Sequence, residues 1–217
     1  KGLRGKGVII YLNTVIESSD FIFYTDSLVA VGTSFVTMAG TNDKIGESVT
    51  FPQLGIENYE VKWYPKEDSM LVKNLMNSFS FYDSTATLTG AINISHKGMT
   101  GYGIFDRTGS RTVSPKFMFE QTSFTARDAE FEILSDVEGK PAVKSDFVKV
   151  FFQLDSGYAE FGPEKEGFAA NEFPYLKYKT SINNGLWDFD KHTVTMSMPE
   201  GGNILNSYFY STHPDQD

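Results

Sequence analysis

The chain has no cysteine, and its 217 residues include only three histidines and two tryptophans. Without cysteine there is no disulfide, no thiolate metal site and no thiol nucleophile. The histidines, His96, His192 and His213, share no His-x-His or His-x-x-x-His spacing, so they form no zinc pattern and read as surface residues, His96 and His192 at equivalent strand ends. Basic residues are also scarce: 19 Lys and Arg stand against 28 Asp and Glu, a net charge of −9. That balance argues against nucleic acid, whose phosphates demand a basic face, and against charge-driven docking on anionic membranes. No apolar run approaches the roughly 18 residues of a spanning helix. No charged segment followed by an apolar one opens the chain as a signal peptide would. There is no Gly-x-Ser-x-Gly elbow and no phosphate loop. Gly98-Met99-Thr100-Gly101-Tyr102-Gly103 has spaced glycines but lacks the strand–helix context of a dinucleotide site, and no cofactor is implied. The 19 Gly and 8 Pro are scattered, which leaves no linker or low-complexity tract.

What the chain does contain is an internal repeat. Residues 1–38 lie over residues 97–134 without a gap, with ten identities at a constant spacing of 96: Lys1/Lys97, Gly2/Gly98, Gly5/Gly101, Gly7/Gly103, Ser18/Ser114, Phe21/Phe117, Phe23/Phe119, Ser27/Ser123, Ala30/Ala126 and Phe35/Phe131. These are residue types that set turns and inward strand positions, and a repeat decides architecture before any single element does. Downstream the match continues through shorter blocks. Val61-Lys62-Trp63-Tyr64 falls on Val148-Lys149-Val150-Phe151, Asn77–Phe81 on Asn171–Tyr175, and Ala91–Ser95 on Thr193–Ser197. Ser207-Tyr208-Phe209-Tyr210 echoes the Ser-x-x-Phe-x-Phe block. The expected organisation is one repeat unit over 1–96, a second over 97–198 and the start of a third over 199–217, the chain being a piece of something longer.

Glycines at Gly5 and Gly7 permit sharp backbone turns before the β-branched run from Val8. Phe21-Ile22-Phe23 and Phe117-Met118-Phe119 read as strands with both phenylalanines on one buried face, since side chains alternate with a period of two. Short apolar segments with turn signals every 8–12 residues point to an all-β protein. Asp68–Met76 is expected to be irregular. The expected architecture is a set of tandem β-repeat units in an elongated β-solenoid-like stack, with two β-sandwich domains as the alternative.

Candidate chemistry is sparse. Asp188 and Asp190 flank Phe189 and would point two carboxylates to one strand face, as solvated charges do and as a Ca²⁺ site can. Glu164 and Glu166 share that spacing, though in a Gly-Pro-Glu-Lys-Glu-Gly loop rather than the setting of a glycosidase pair. Trp63, Tyr64 and Trp187 are the aromatic residues that would stack on sugar rings or, alternatively, pack in a core or rim. No catalytic centre is expected.

Through the blocks Lys-Gly-x-x-Gly-x-Gly, Ser-x-x-Phe-x-Phe and Ala-x-x-x-x-Phe, and through the terminal Ser211–Asp217, the chain resembles the long, repetitive envelope proteins of Gram-negative Bacteroidetes. In the style of its β repeats it is also similar to the lipid-bridging AsmA/TamB group. The first resemblance implies an exported protein of the periplasm or outer membrane. The reading that follows is a non-enzymatic structural and interaction segment whose partners are other repeats and envelope proteins. The alternatives are a lipid-bridging apolar groove and a carbohydrate-binding β-sandwich module. A closed phenylalanine core favours the first, an open apolar trough the second, and exposed coplanar aromatics the third.

Overall fold

The computed structural model describes residues 2–44, 47–164, 171–198 and 208–212. The protein is all-β, a large antiparallel sheet with no α-helix among the described residues. Its strands are β1 (Leu3–Tyr11), β2 (Thr14–Phe23), β3 (Leu28–Thr37), β4 (Gly40–Lys44), β5 (Glu47–Phe51), β6 (Leu54–Ile56), β7 (Tyr59–Tyr64), β8 (Ser69–Asn74), β9 (Phe79–Phe81), β10 (Ala86–Ser95), β11 (Gly98–Arg107) and β12 (Ser110–Phe119). They continue as β13 (Ser123–Ile133), β14 (Val143–Gln153), β15 (Tyr158–Pro163), β16 (Asn171–Phe173), β17 (Tyr178–Thr180), β18 (Asn184–Asp188), β19 (Thr193–Ser197) and β20 (Phe209–Ser211). The chain forms two compact units, Lys1–Arg107 with Lys116–Thr122, and Thr108–Pro115 with Ser123–Asp217.

In the first unit the strands run as a meander. β1 pairs with β2 and β2 with β3; β3 then pairs with β7 at its start and with β6 at its end. β7 pairs with β8, β6 with β9, and both β8 and β9 with β10, which pairs with β11. β6 with β7, and β8 with β9, are thus single long strands broken in the middle, so six strand positions precede β11. β4 and β5 form a separate two-stranded ribbon in the connection between β3 and β6.

The second unit follows the same ladder from β13 onward. β13 pairs with β14, whose two halves take β15 and β16; β15 pairs with β18, β16 with β17, β18 with β19, and β17 with β20. The registers allow the repeat to be read past residue 134. Ala30 faces Val61, Val61 faces Val72, and Val72 faces Ile92; the second row is Ala126, Val150, Phe161 and Gly185. Val61 therefore corresponds to Val150, and Trp63 to Phe152, two residues later than the sequence match placed them. β10 corresponds to β17 and β18, not to Thr193–Ser197, because Ile94 opposes Met99 as Trp187 opposes Val194. β19 and β20 pair with β18 and β17 as β11 pairs with β10. The sequence echo at 207–210 begins at Ser207, outside the described residues.

Strand pairing explains several identities. Ser18 Oγ donates to the Val31 carbonyl at 2.7 Å, and Ser114 Oγ donates to the Arg127 carbonyl at 2.6 Å. Ser18 sits where a β-bulge shifts the β2–β3 register, between Ser18 and Asp20, and the Arg127 carbonyl that Ser114 reaches lies where the β13–β14 register shifts, between Ala126 and Ala129. A bulge interrupts the ladder, and the hydroxyl satisfies the carbonyl it leaves over. Asp68–Met76 is not irregular: β8 fills most of it, held by a ladder on each side.

The core of the first unit is a phenylalanine layer. Phe79, Phe81, Phe105, Phe117 and Phe119 are all buried, with Phe81 and Phe119 ring centroids 4.6 Å apart and Phe105 and Phe117 5.8 Å apart. In the second unit Phe124 stacks on Phe152 at 4.4 Å, and Phe131 packs on Phe161 at 5.2 Å. The two copies of the Phe-x-Phe block do not behave alike. Phe117 and Phe119 are buried as expected, but Phe21 is half-buried and Phe23 is 40% exposed. The rings that cover the second pair come from β9 and β11, and no strand described here stands in the corresponding place beside β1.

Candidate functional site

Among the described residues, one gathering of titratable groups is not revealed by sequence spacing. Tyr11 ends β1, Asp68 follows the 3-10 turn Pro65–Glu67, and His96 sits in the turn between β10 and β11. Asp68 adopts the left-handed conformation, φ 50° and ψ 50°, which a short polar side chain tolerates better than most. Its carboxylate accepts from the Tyr11 hydroxyl at 2.5 Å, from the His96 backbone N–H at 3.0 Å, and pairs with His96 Nδ1. Tyr11 also lies on Trp63, ring centroids 5.2 Å apart and tilted by 46°, and meets the His96 ring edge-on at 5.8 Å.

The electrostatics follow from these contacts. Burial pushes the Asp68 carboxyl up, but hydrogen bonds from Tyr11 and His96 outweigh it and hold the group below its ordinary value. The Tyr11 hydroxyl is raised, first by burial and then by its bond to Asp68, so it stays protonated. A carboxylate accepting several hydrogen bonds joins three chain segments that are far apart in sequence. Asp–His–Tyr is also a proton relay in outline, with the exposed face of His96 as its outlet. Two cavities of ≈ 390 Å³ are lined elsewhere, one by Arg4, Lys6 and Asp20, the other by Phe151, Phe161 and Leu186. The arrangement is suited to clasping the end of the sheet.

The residues singled out from sequence are dispersed. Trp63 and Tyr64 are neighbours on β7, half-buried, and successive strand residues face opposite ways, so they make no common platform. The Trp63 indole nitrogen is buried without an acceptor. Trp187 belongs to the core, packed against Phe131, Phe152 and Phe189. Asp188 accepts the Lys191 backbone N–H at 3.0 Å and its ammonium at 2.6 Å, and these bonds hold its carboxyl below the ordinary range. Asp190 lies against Gly157, and no group of three or more His or acidic residues suited to a metal occurs among the described residues. Glu164 pairs with Arg127 at 3.3 Å; Glu166 and His213 lie outside the described residues. His192 occupies the turn before β19, with φ 52°.

A buried polar layer in the second unit also escaped sequence reasoning. Where the first unit places Ile56, Phe79 and Leu88, the second has Ser145, Asn171 and Thr180, all fully buried or nearly so. Ser145 bonds to the Asn171 side chain, Asn171 Nδ2 donates to the Ile182 carbonyl at 2.7 Å, and Thr180 Oγ1 donates to the Tyr208 carbonyl at 3.1 Å. Buried polar groups persist when such bonds are made, and a satisfied network specifies one packing. Only the loss of apolar residues at matched repeat positions could have signalled it, and the sequence alignment was two residues out of register there. A scan against protein-family models, a search of curated proteins and a search of solved structures each returned no match.

Proposed function

We propose that this chain is a non-enzymatic structural and interaction segment of a large β-repeat protein of the cell envelope, periplasmic or outer-membrane associated. In this reading six-strand rounds stack into an elongated, solenoid-like array whose work is length, rigidity and contact with other repeats and envelope proteins. The observation that carries it is the closed phenylalanine layer. Phe79, Phe81, Phe105 and Phe117 are at most 1% exposed, which is packing for stiffness and leaves no trough in that layer for an acyl chain. The Asp68 cluster fits the same role, tying strand ends together.

The test has two arms. Antibody raised against the chain should find it in the envelope fraction of the source cells, and organic extraction of purified protein should release no stoichiometric lipid. Recovery in the cytosolic fraction would overturn the location. One acyl chain or more per molecule would replace the scaffold with a lipid-carrying groove. A hydrolase screen that scored turnover, lost on Glu164→Gln with Glu166→Gln, would end the non-enzymatic reading.

A further inference from the structure

The exposed edge of β1 is the mate of a surface that the second copy of the repeat keeps covered. Among the described residues β1 has a ladder on one side only, to β2. Its counterpart β11 has β10 on the corresponding side, with Leu88 opposite Phe105, Gly90 opposite Gly103, Ile92 opposite Gly101 and Ile94 opposite Met99. Moving 96 residues back turns those four partners into Ile9, Gly7, Gly5 and Leu3. Ile9 stays buried as its counterpart Phe105 does, but the apolar positions at the Leu3 end, covered in the second copy, lie open in the first. Leu3 is 79% exposed against 2% for Met99, and Phe23 is 40% exposed against 2% for Phe119.

Gly7 lies on the same edge, and its own positive φ already favours glycine. Gly103 must be glycine, because a Cβ there would lie 2.2 Å from the Thr89 carbonyl oxygen and 2.9 Å from the Gly90 Cα of the crossing strand. Gly7 carries the same residue and a similar backbone, φ 153° against 132°, yet nothing lies within 4 Å of the place its Cβ would take. The close approach that calls for glycine in β11 has no counterpart at β1. An unpaired strand edge with an apolar flank is the template on which an extended segment adds by main-chain hydrogen bonding, with side-chain pockets setting the register.

We infer that the β1 edge is an acceptor for one kind of partner, a β9–β10-type hairpin strand of another six-strand repeat. That strand pairs antiparallel with Leu3–Tyr11, sets a glycine against Gly7, points an aliphatic side chain at Leu3, and lays an aromatic ring on Phe21 and Phe23. The inference rests on the repeat-scaffold reading and names how one round engages the next.

The experiment adds a labelled peptide, Phe79–Ser95 of this chain, to the purified protein and follows anisotropy and amide hydrogen exchange. Saturable binding, with new protection at the amides of β1, is expected. Gly90→Val in the peptide should weaken binding by about tenfold or more, and this change leaves the folding of the protein untouched. Leu3→Glu in the protein, at an exposed position, should weaken binding with an unaltered melting temperature. Absence of binding overturns the inference, as does binding without β1 protection or binding indifferent to Gly90→Val. A peptide-free protein that runs as a dimer with β1 already protected also overturns it, since a second copy would then hold the edge. None of these outcomes touches cell location or lipid content, so failure here is distinguishable from failure of the scaffold reading.

Discussion

At the residue scale, the same side chain in two copies has different consequences because its surroundings differ. Phe117 and Phe119 are buried among Phe81 and Phe105, whereas of their counterparts Phe21 is half-buried and Phe23 is 40% exposed on β2. Phe117→Ala should cost about 3–5 kcal/mol, the usual loss for a core phenylalanine. Phe23→Ala should stay within about 1 kcal/mol, nearer to a surface change. Urea denaturation of the two variants checks this, and equal losses would mean that the first pair is as closely packed as the second. Asp68 gives a pH-dependent case. Its folded-state carboxyl lies below the ordinary 3.8, so its contribution is full above pH 3.8 and is lost as pH falls through the lower folded value. Asp68→Asn keeps a residue that accepts the left-handed backbone but weakens the bonds to Tyr11 and His96. It should lower stability at neutral pH by about 1–3 kcal/mol, and the gap to the parent protein should close as pH is taken below 3.8. A gap constant across that window would remove the carboxylate from the argument.

At the scale of the element, equivalent rows of the two ladders conserve filled volume more than residue identity. Val72 opposite Ile92 in the first unit becomes Phe161 opposite Gly185 in the second, and a Cβ on Gly185 would fall 2.1 Å from the Phe161 ring. Met70 opposite Ile94 becomes Ala159 opposite Trp187. Gly32 and Tyr59 show the same exchange: the Tyr59 hydroxyl fills the space above Gly32 and donates to the carbonyls of Glu17 and Ser34, while in the second unit Val148 stands opposite Ala129. Gly185→Ile alone should overpack the layer and cost about 1–3 kcal/mol. Combined with Phe161→Val it rebuilds the pair of the first unit, and the double variant should recover most of that loss. A double-mutant cycle by thermal melting reads the coupling. Simple addition of the two effects would show that the ring and the glycine do not share one site.

On the scale of the whole molecule, strand β12 divides between the two compact units, with Lys116–Thr122 belonging to the first. Phe117 and Phe119 therefore complete a core whose other rings come from residues 79–105. A fragment of residues 1–122 should unfold cooperatively, whereas residues 1–107 should bind the hydrophobic dye ANS and melt at lower temperature, with Phe81 and Phe105 uncovered. Equal melting of the two fragments would place the boundary of the first unit before β12.

The all-β class and the inward placement of Phe117 and Phe119 were legible in the sequence because each is a local pattern: alternation along a strand, glycine or serine where the backbone departs from it. Past residue 134 the loops change length, so the alignment slid by two residues at β7 and misassigned β10, and only ladder registers restored it. The Asp68 clasp was invisible for the same reason, its three members lying 57 and 28 residues apart, with no local rule to relate them. Local chemistry determined which segments become strands and which faces turn inward. Tertiary structure alone decided which of two identical Phe-x-Phe blocks is covered, because burial depends on the neighbouring strand and not on the block itself.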